Sequence, residues 1–188
     1  MAAKPLPSAE YLHQCFDYDP LTGELWWRAS RPQEHFKQPS GCATWSKHYA
    51  GTIAGTIRQT RNKSRHIIVN LGGNLFYAHR IIWKMTTNRD PKLEVDHING
   101  DGLDNRWTNL RLATGEQNRW NVSWNKQRIL PRGVYAQKIR GIPSGNYCAG
   151  ASYCNRHVYL GTFDTPEEAG AAYRAYVTAE RGEFSRTD

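Results

Sequence analysis

The chain has 188 residues, with 25 Lys+Arg against 17 Asp+Glu, a formal net charge of +8 and a pI near 9.5. That length suits one large domain or two to three small ones with a real core. The short apolar runs exclude a membrane span, and no charged-then-apolar leader opens the chain, so the expected compartment is cytoplasmic. Leu, Ile, Val and Phe are sparse, but seven Trp and ten Tyr supply bulky core material and argue against disorder.

Residues 1–20 read as a short helix over Tyr11, Leu12 and Phe16, closed by the turn-rich step from Asp17 to Pro20. Leu25, Trp26 and Trp27 follow as a strand. Residues 30–50, with Pro32, Pro39 and Gly41, read as loop. The β-rich runs 66–71 and 75–78 are joined by Gly72-Gly73-Asn74, a hairpin signal. Residues 79–85 are helical in pattern, with Ile81, Ile82 and Met85 on one face. A strand over 93–98, a loop over 99–108 and a strand over 110–113 lead to a helix at Thr114, where Thr114 and Gln117 fit a capping box. The polar stretch 121–131 reads as a linker.

Three strands are expected next, over 133–139, 147–153 and 157–163, with turns at Ser144-Gly145-Asn146 and Asn155-Arg156. Thr165, Pro166 and Glu168 then open a helix that ends at Gly182. Its stripe of Ala169, Ala172, Tyr173 and Tyr176 is core material. The fold class is α+β, with a three-stranded antiparallel sheet packed on one helix at the C-terminus.

Charge is unevenly placed. Residues 1–90 carry 12 basic and 6 acidic side chains (net +6), residues 91–125 carry 4 and 5 (net −1), and residues 126–188 carry 9 and 6 (net +3). No Asp or Glu occurs between His35 and Arg89, and Arg58, Arg61, Lys63 and Arg65 are the densest cluster. Residues 126–158 hold six basic side chains and no acid, whereas 159–188 hold three basic and six acidic. Acid-free basic runs interleaved with Trp, Tyr, Asn and Gln favour contact with phosphates. Cys15, Cys42, Cys148 and Cys154 form no CxxC pair, so a zinc knuckle is not expected and reduced thiols are the simplest reading.

Chemistry concentrates in the middle, in Val95-Asp96-His97-Ile98-Asn99-Gly100-Asp101, Trp107-Thr108-Asn109-Leu110-Arg111 and Glu116-Gln117-Asn118. Asp96 and Asn118 offer a carboxylate and an amide oxygen, hard donors that suit Mg²⁺ or Mn²⁺ better than Zn²⁺. His97 is then left as a base near neutral pH. The same residues also fit a bland reading, with ordinary Asn-Gly and Asp-Gly turns and a satisfied structural histidine.

The string DHINGDGLDNRWTNLRLATGEQN, with AHRIIWKM upstream, resembles the HNH (ββα-metal) endonuclease motif of the phage and intron-homing branch over about residues 76–121. The resemblance implies a ββα-metal core, His97 as general base, Asp96 and Asn118 as metal ligands, and Asn109 as the residue that orients the base through the loop. It implies a Mg²⁺- or Mn²⁺-dependent DNA endonuclease that leaves 5′-phosphate and 3′-hydroxyl ends. Arg111 and Arg119 could assist near the phosphate or be plain surface charges.

A second resemblance covers about residues 131–186. GVYAQK, NYCAGAS, HVYLGTFDTPEEAGAAY and RGEF resemble the APETALA-type (ethylene-response-factor-like) DNA-binding domain. It implies that the sheet enters the major groove with the helix behind it. Arg132, Tyr135, Gln137, Ser152, His157 and Tyr159 would then face DNA, with Lys138 and Arg156 near phosphates. Gly150, Ser152 and Tyr159 depart from the plant pattern, so its base preference does not carry over.

These readings divide the chain into a basic β-rich N-terminal region (1–75) with DNA contacts at Arg58, Arg61, Lys63 and Arg65, a nuclease core (76–125), and a linker plus DNA-binding domain (126–188). The expected partner is double-stranded DNA, bound by a monomer or a DNA-assembled dimer, with no membrane association. The rivals are a non-catalytic DNA-binding regulator on a nuclease scaffold and a non-specific or restriction-type nuclease.

Overall fold

The computed structural model describes residues 4–60, 63–121, 129–153 and 156–185. It is an α+β protein of small antiparallel sheets, in two units, Met1–Gly115 and Glu116–Asp188. Among the described residues no helix is long and apolar enough to cross a membrane.

In the first unit, helix α1 (Ala9–Cys15) starts where the Ser8 hydroxyl accepts from the Tyr11 amide. It ends one residue before Phe16, which belongs to strand β1 (Phe16–Tyr18) and not to the helix expected over it. Strand β1 pairs with β2 (Leu25–Trp27). Residues 30–50 are not simply loop: they include helix α2 (Pro39–Tyr49). The prolines and glycine that suggested a loop are compatible with a helix, because Pro39 sits in the first turn, where its missing N–H costs nothing. No residue of α2 is fully buried; Trp45 anchors it, 5.5 Å from the rings of both Trp27 and Phe36.

Strands β3 (Thr56–Gln59), β4 (Arg65–Leu71) and β5 (Asn74–Tyr77) form a sheet in chain order, and β3 was not anticipated. The β4–β5 hairpin turns on Gly72 and Gly73, both at positive φ (61° and 81°), as a tight turn of this hand requires. Helix α3 (Ala78–Thr87) buries Ile81, Ile82 and Met85 as expected, and also His79 and Lys84. Strands β6 (Glu94–His97) and β7 (Leu110–Ala113) make a two-stranded sheet.

One apolar core serves the unit, drawing Leu12, Phe16, Val69, Ile81, Ile82, Val95 and Leu110 together. Full burial of each such side chain is worth roughly 1.5–3 kcal/mol. That core takes residues from both the segment 1–75 and the segment that follows it.

Helix α4 (Gly115–Trp120) begins at the end of the first unit and runs into the second. The expected linker falls largely on 122–128, outside the described residues. Strands β8 (Val134–Ile139), β9 (Ile142–Tyr153) and β10 (Arg156–Phe163) form the antiparallel sheet in the order β10-β9-β8. The β8–β9 turn is at Arg140-Gly141, both at positive φ (52° and 84°), and not at Ser144-Gly145-Asn146. Those three residues lie within β9 beside the register shift around Gln137, where the Ser144 hydroxyl donates to the Gln137 carbonyl oxygen at 3.3 Å. Asn155, expected in the next turn, lies outside the described residues.

Helix α5 (Pro166–Arg181) starts on Thr165, whose hydroxyl accepts from the Glu168 amide, and ends at Gly182. Its Ala169, Tyr173 and Val177 pack against Val134, Ala149 and Ala151 of the sheet.

Candidate active site

Strand β6 carries Asp96 and His97, and β7 carries Arg111 directly across from Asp96. The Arg111 Nε donates to Asp96 Oδ2 at 3.0 Å, an ion pair whose side chains are 10% and 6% exposed. Because side chains alternate along a strand, His97 points elsewhere. Its Nε2 lies 2.9 Å from Oδ1 of Asn105, which is 1% exposed. When that oxygen accepts, the imidazole proton is on Nε2 and the lone pair is on Nδ1.

The loop between the strands is tied to itself. The Asn109 Oδ1 accepts from the Asn99 amide (2.9 Å), and the Asn109 Nδ2 donates to Asn99 Oδ1 (3.0 Å) and to the Asp104 carbonyl (2.7 Å). Asn99 Nδ2 donates to Asp104 Oδ2 (2.7 Å), and the Tyr18 hydroxyl donates to the Asn105 carbonyl oxygen (2.9 Å). Hydrogen bonds from Arg106 hold the Asp104 carboxyl down at about 2, and burial pushes the Tyr18 phenol up to about 12. Asn109 therefore fixes the loop, and Asn105 hydrogen-bonds His97.

Two further histidines meet His97, from β4 and α3. The ring centroids of His79 and His97 are 5.0 Å apart, those of His66 and His97 6.0 Å, and those of His66 and His79 5.8 Å. Gly102 lets the loop lie against this cluster, since a Cβ there would collide with the Arg65 carbonyl oxygen and the His66 ring. Burial first, and then the neighbouring His97, His66 and Arg80 charges, hold the His79 ring well below the ordinary histidine value. Burial and His97 also lower His66.

Stability should follow. As pH falls below the ordinary value of 6.5, the unfolded chain binds a proton at His79 that the folded ring refuses, so stability is present above that pH and is lost on acidification. Urea unfolding at pH 7.5 and 5.5 should reveal a loss of at most about 1.4 kcal/mol per pH unit from this group. A His79→Leu variant should show a correspondingly shallower dependence.

Sequence reasoning singled out Asp96, His97, Asn109 and Asn118 and did not single out His66, His79, Asn105 or Tyr18, which the fold brings to or beside His97. The available signal was a histidine and an asparagine embedded in patterns read as apolar helix and plain loop. Asn118 lies half-buried on α4 in the second unit, while Asp96 lies in the first. Arg119 is exposed.

Of the expected DNA contacts in the first unit, Arg58 on β3, Lys63 and Arg65 are exposed, and Arg61 lies outside the described residues. In the second unit, Tyr135 and Thr162 both pair with Cys148, Tyr159 with Gly150, and His157 with Ser152. These positions alternate with the Val134, Ala149 and Ala151 side that packs on α5, so Tyr135, Ser152, His157 and Tyr159 share the outer face. The Gln137 Nε2 reaches Thr162 Oγ1 at 3.4 Å and joins them. Gly150 makes a seat for His157, because a Cβ there would fall 2.7 Å from its Nε2. Lys138 and Arg156 are exposed, and Arg132 is half-buried ahead of β8. Cys15, Cys42 and Cys148 are free thiols, and Cys154 lies outside the described residues.

Comparison with known proteins agrees with this picture for the middle of the chain. Residues 76–120, which span α3, β6, β7 and α4, match the HNH endonuclease family model. Protein 3.8 of Escherichia phage T7 is 33% identical over 70 residues, covering 30% of this chain and 58% of the phage protein. A solved structure of DNA binding and cleavage by the HNH homing endonuclease I-HmuI is similar with a TM-score of 0.34 and 21% identity, over 56% of this chain and 50% of that one. The chain thus spans 58% of the length of the phage protein and 50% of that of the solved structure. The family match is confined to residues 76–120 and makes that segment similar to HNH endonucleases.

Proposed function

We propose that this chain is a divalent-metal-dependent HNH endonuclease of the homing type that hydrolyses DNA phosphodiesters to 5′-phosphate and 3′-hydroxyl ends. The observation that carries this reading is His97, buried at the end of β6 and gripped by Asn105, in a loop that Asn109 braces. With its proton on Nε2, His97 takes a proton from water through Nδ1 as the water attacks phosphorus opposite the leaving 3′-oxygen. Asn105 holds the ring in that tautomer and accepts the same hydrogen bond once the ring is charged.

Asp96 is a carboxylate anchored through one oxygen by Arg111, a hard donor of the kind that suits such a cation. By the motif resemblance, Asp96 and Asn118 are the residues that would hold a Mg²⁺ or Mn²⁺ ion, and the ion would supply charge neutralisation to the phosphate.

The remainder of the chain is read as docking surface. The outer face of the β10-β9-β8 sheet follows the APETALA-type resemblance, with Tyr135, Gln137, Ser152, His157 and Tyr159 toward bases and Lys138, Arg156 and Arg132 toward phosphates. Arg58, Lys63 and Arg65 add phosphate contacts from the N-terminal region. The proposed functional division, 1–75, 76–125 and 126–188, differs from the division of the fold into Met1–Gly115 and Glu116–Asp188.

The test is direct. The purified protein should nick supercoiled plasmid with Mg²⁺ or Mn²⁺ and stop on chelation, and the cut ends should be ligatable 5′-phosphates. DNA binding with no cleavage under either metal would leave the regulator reading in its place.

A further inference from the structure

The cluster of His66, His79 and His97 is larger than a single general base needs. Each residue offers a ring nitrogen, and the three ligand atoms all lie within 4.8 Å of one another. The rings come from β4, α3 and β6, elements that share one core, so the cluster is preorganised by the fold. Among the described residues, Nδ1 of His66 and Nδ1 of His79 are buried and have no hydrogen-bond partner. Buried polar atoms are normally satisfied, so two orphaned imidazole nitrogens in one cluster call for an explanation, and an ion is one that nitrogen donors accommodate.

We propose that His66, His79 and His97 form a binding site for a borderline transition-metal ion, Zn²⁺ first, separate from the oxygen donors of Asp96 and Asn118, and that its occupation switches cleavage off. Three imidazoles are a nitrogen donor set that suits Zn²⁺, Ni²⁺ or Cu²⁺ and not Mg²⁺. With Zn–N bonds of about 2.0–2.1 Å, nitrogens in a tetrahedral site stand about 3.3 Å apart, so the rings close on the ion by about an ångström each, within reach of side-chain rotation.

The consequence for catalysis comes from electron counting. A neutral imidazole has one in-plane lone pair. A zinc ion bound to His97 uses the pair that would otherwise accept the proton of the attacking water, so one ring cannot do both. No bond in the protein is made or broken; the ion and the proton compete for the same two electrons. The metal site itself rests on geometry alone, and only its effect on cleavage rests on the proposed nuclease activity.

Equilibrium dialysis of the full-length protein against Zn²⁺, without DNA, separates these two parts. The unmodified protein and Asp96→Asn should each retain the ion, whereas His66→Ala and His79→Asn should each bind it at least about tenfold more weakly. His66 is only half-buried, so its variant keeps the fold even if the His79 change does not. Equal zinc binding by the unmodified protein and His66→Ala overturns the site. In the cleavage arm, each protein's Mg²⁺-supported nicking is compared with and without micromolar Zn²⁺, relative to its own zinc-free rate. Zinc should suppress the unmodified protein at a concentration that spares His66→Ala, and equal suppression of both overturns the switch. A protein that binds zinc through these histidines but never nicks DNA overturns the nuclease reading and the switch, and leaves the site standing.

Discussion

A His97→Ala variant should lose cleavage by about 10²–10⁴-fold, the usual contribution of a positioned base, while keeping its affinity for DNA. His97 is 5% exposed and lies between Asn105 and the two neighbouring histidines, so its removal changes the interior of the site and not the basic outer surfaces. Single-turnover nicking at saturating protein, paired with a gel-shift titration, measures the two quantities separately. Cleavage within a few-fold of the unmodified rate would remove His97 from the role of base.

The second large effect is expected at Asp96. Truncation to alanine leaves the Arg111 guanidinium buried without its carboxylate, and breaking a buried pair from one side costs about 3–5 kcal/mol. Arg111→Ala breaks the same pair from the other side and should cost a similar amount. The two variants differ in the proposed chemistry, because only Asp96→Ala removes the oxygen donor proposed for the cation. Urea unfolding should therefore place them close together, while the Mg²⁺ dependence of nicking should fail in Asp96→Ala and persist in Arg111→Ala at a temperature where both are folded. Equal loss of cleavage in both would make Asp96 a structural residue alone.

How far the sequence could have led to this site depends on which interactions are local. The β4–β5 hairpin was legible because Gly72-Gly73 is itself the turn, and α5 because Thr165, Pro166 and Glu168 lie side by side in the chain. Helix α2 was not legible: it has no fully buried residue and is held by Trp45 against Trp27 and Phe36, contacts invisible to a periodicity argument. The β8–β9 turn was misplaced because Ser144-Gly145-Asn146 has turn composition, while Arg140 adopts the left-handed backbone without composition to announce it.

The site divides in the same way. Asp96, His97, Asn109 and Asn118 could be read because their order and spacing resemble a known motif. His66 and His79 reach His97 through the packing of α3 against both β4 and β6, and no local pattern encodes that meeting. Asn105 looked like one more polar loop residue until its burial against His97 was seen.

The loop beside His97 also has a bearing on chemical ageing. Asn99-Gly100 is the kind of step most prone to deamidation, which needs the glycine amide nitrogen to swing onto the asparagine side chain. Here the Gly100 amide is engaged with the His97 carbonyl at 2.8 Å, and the Asn99 carboxamide is held at both ends, by the Asp101 amide and Asn109 at its oxygen and by Asp104 at its nitrogen. The hydrogen bonds that set the geometry of His97 therefore also keep the attacking nitrogen away from its target. Conditions that loosen this loop would release the Gly100 amide and expose Asn99 to that reaction.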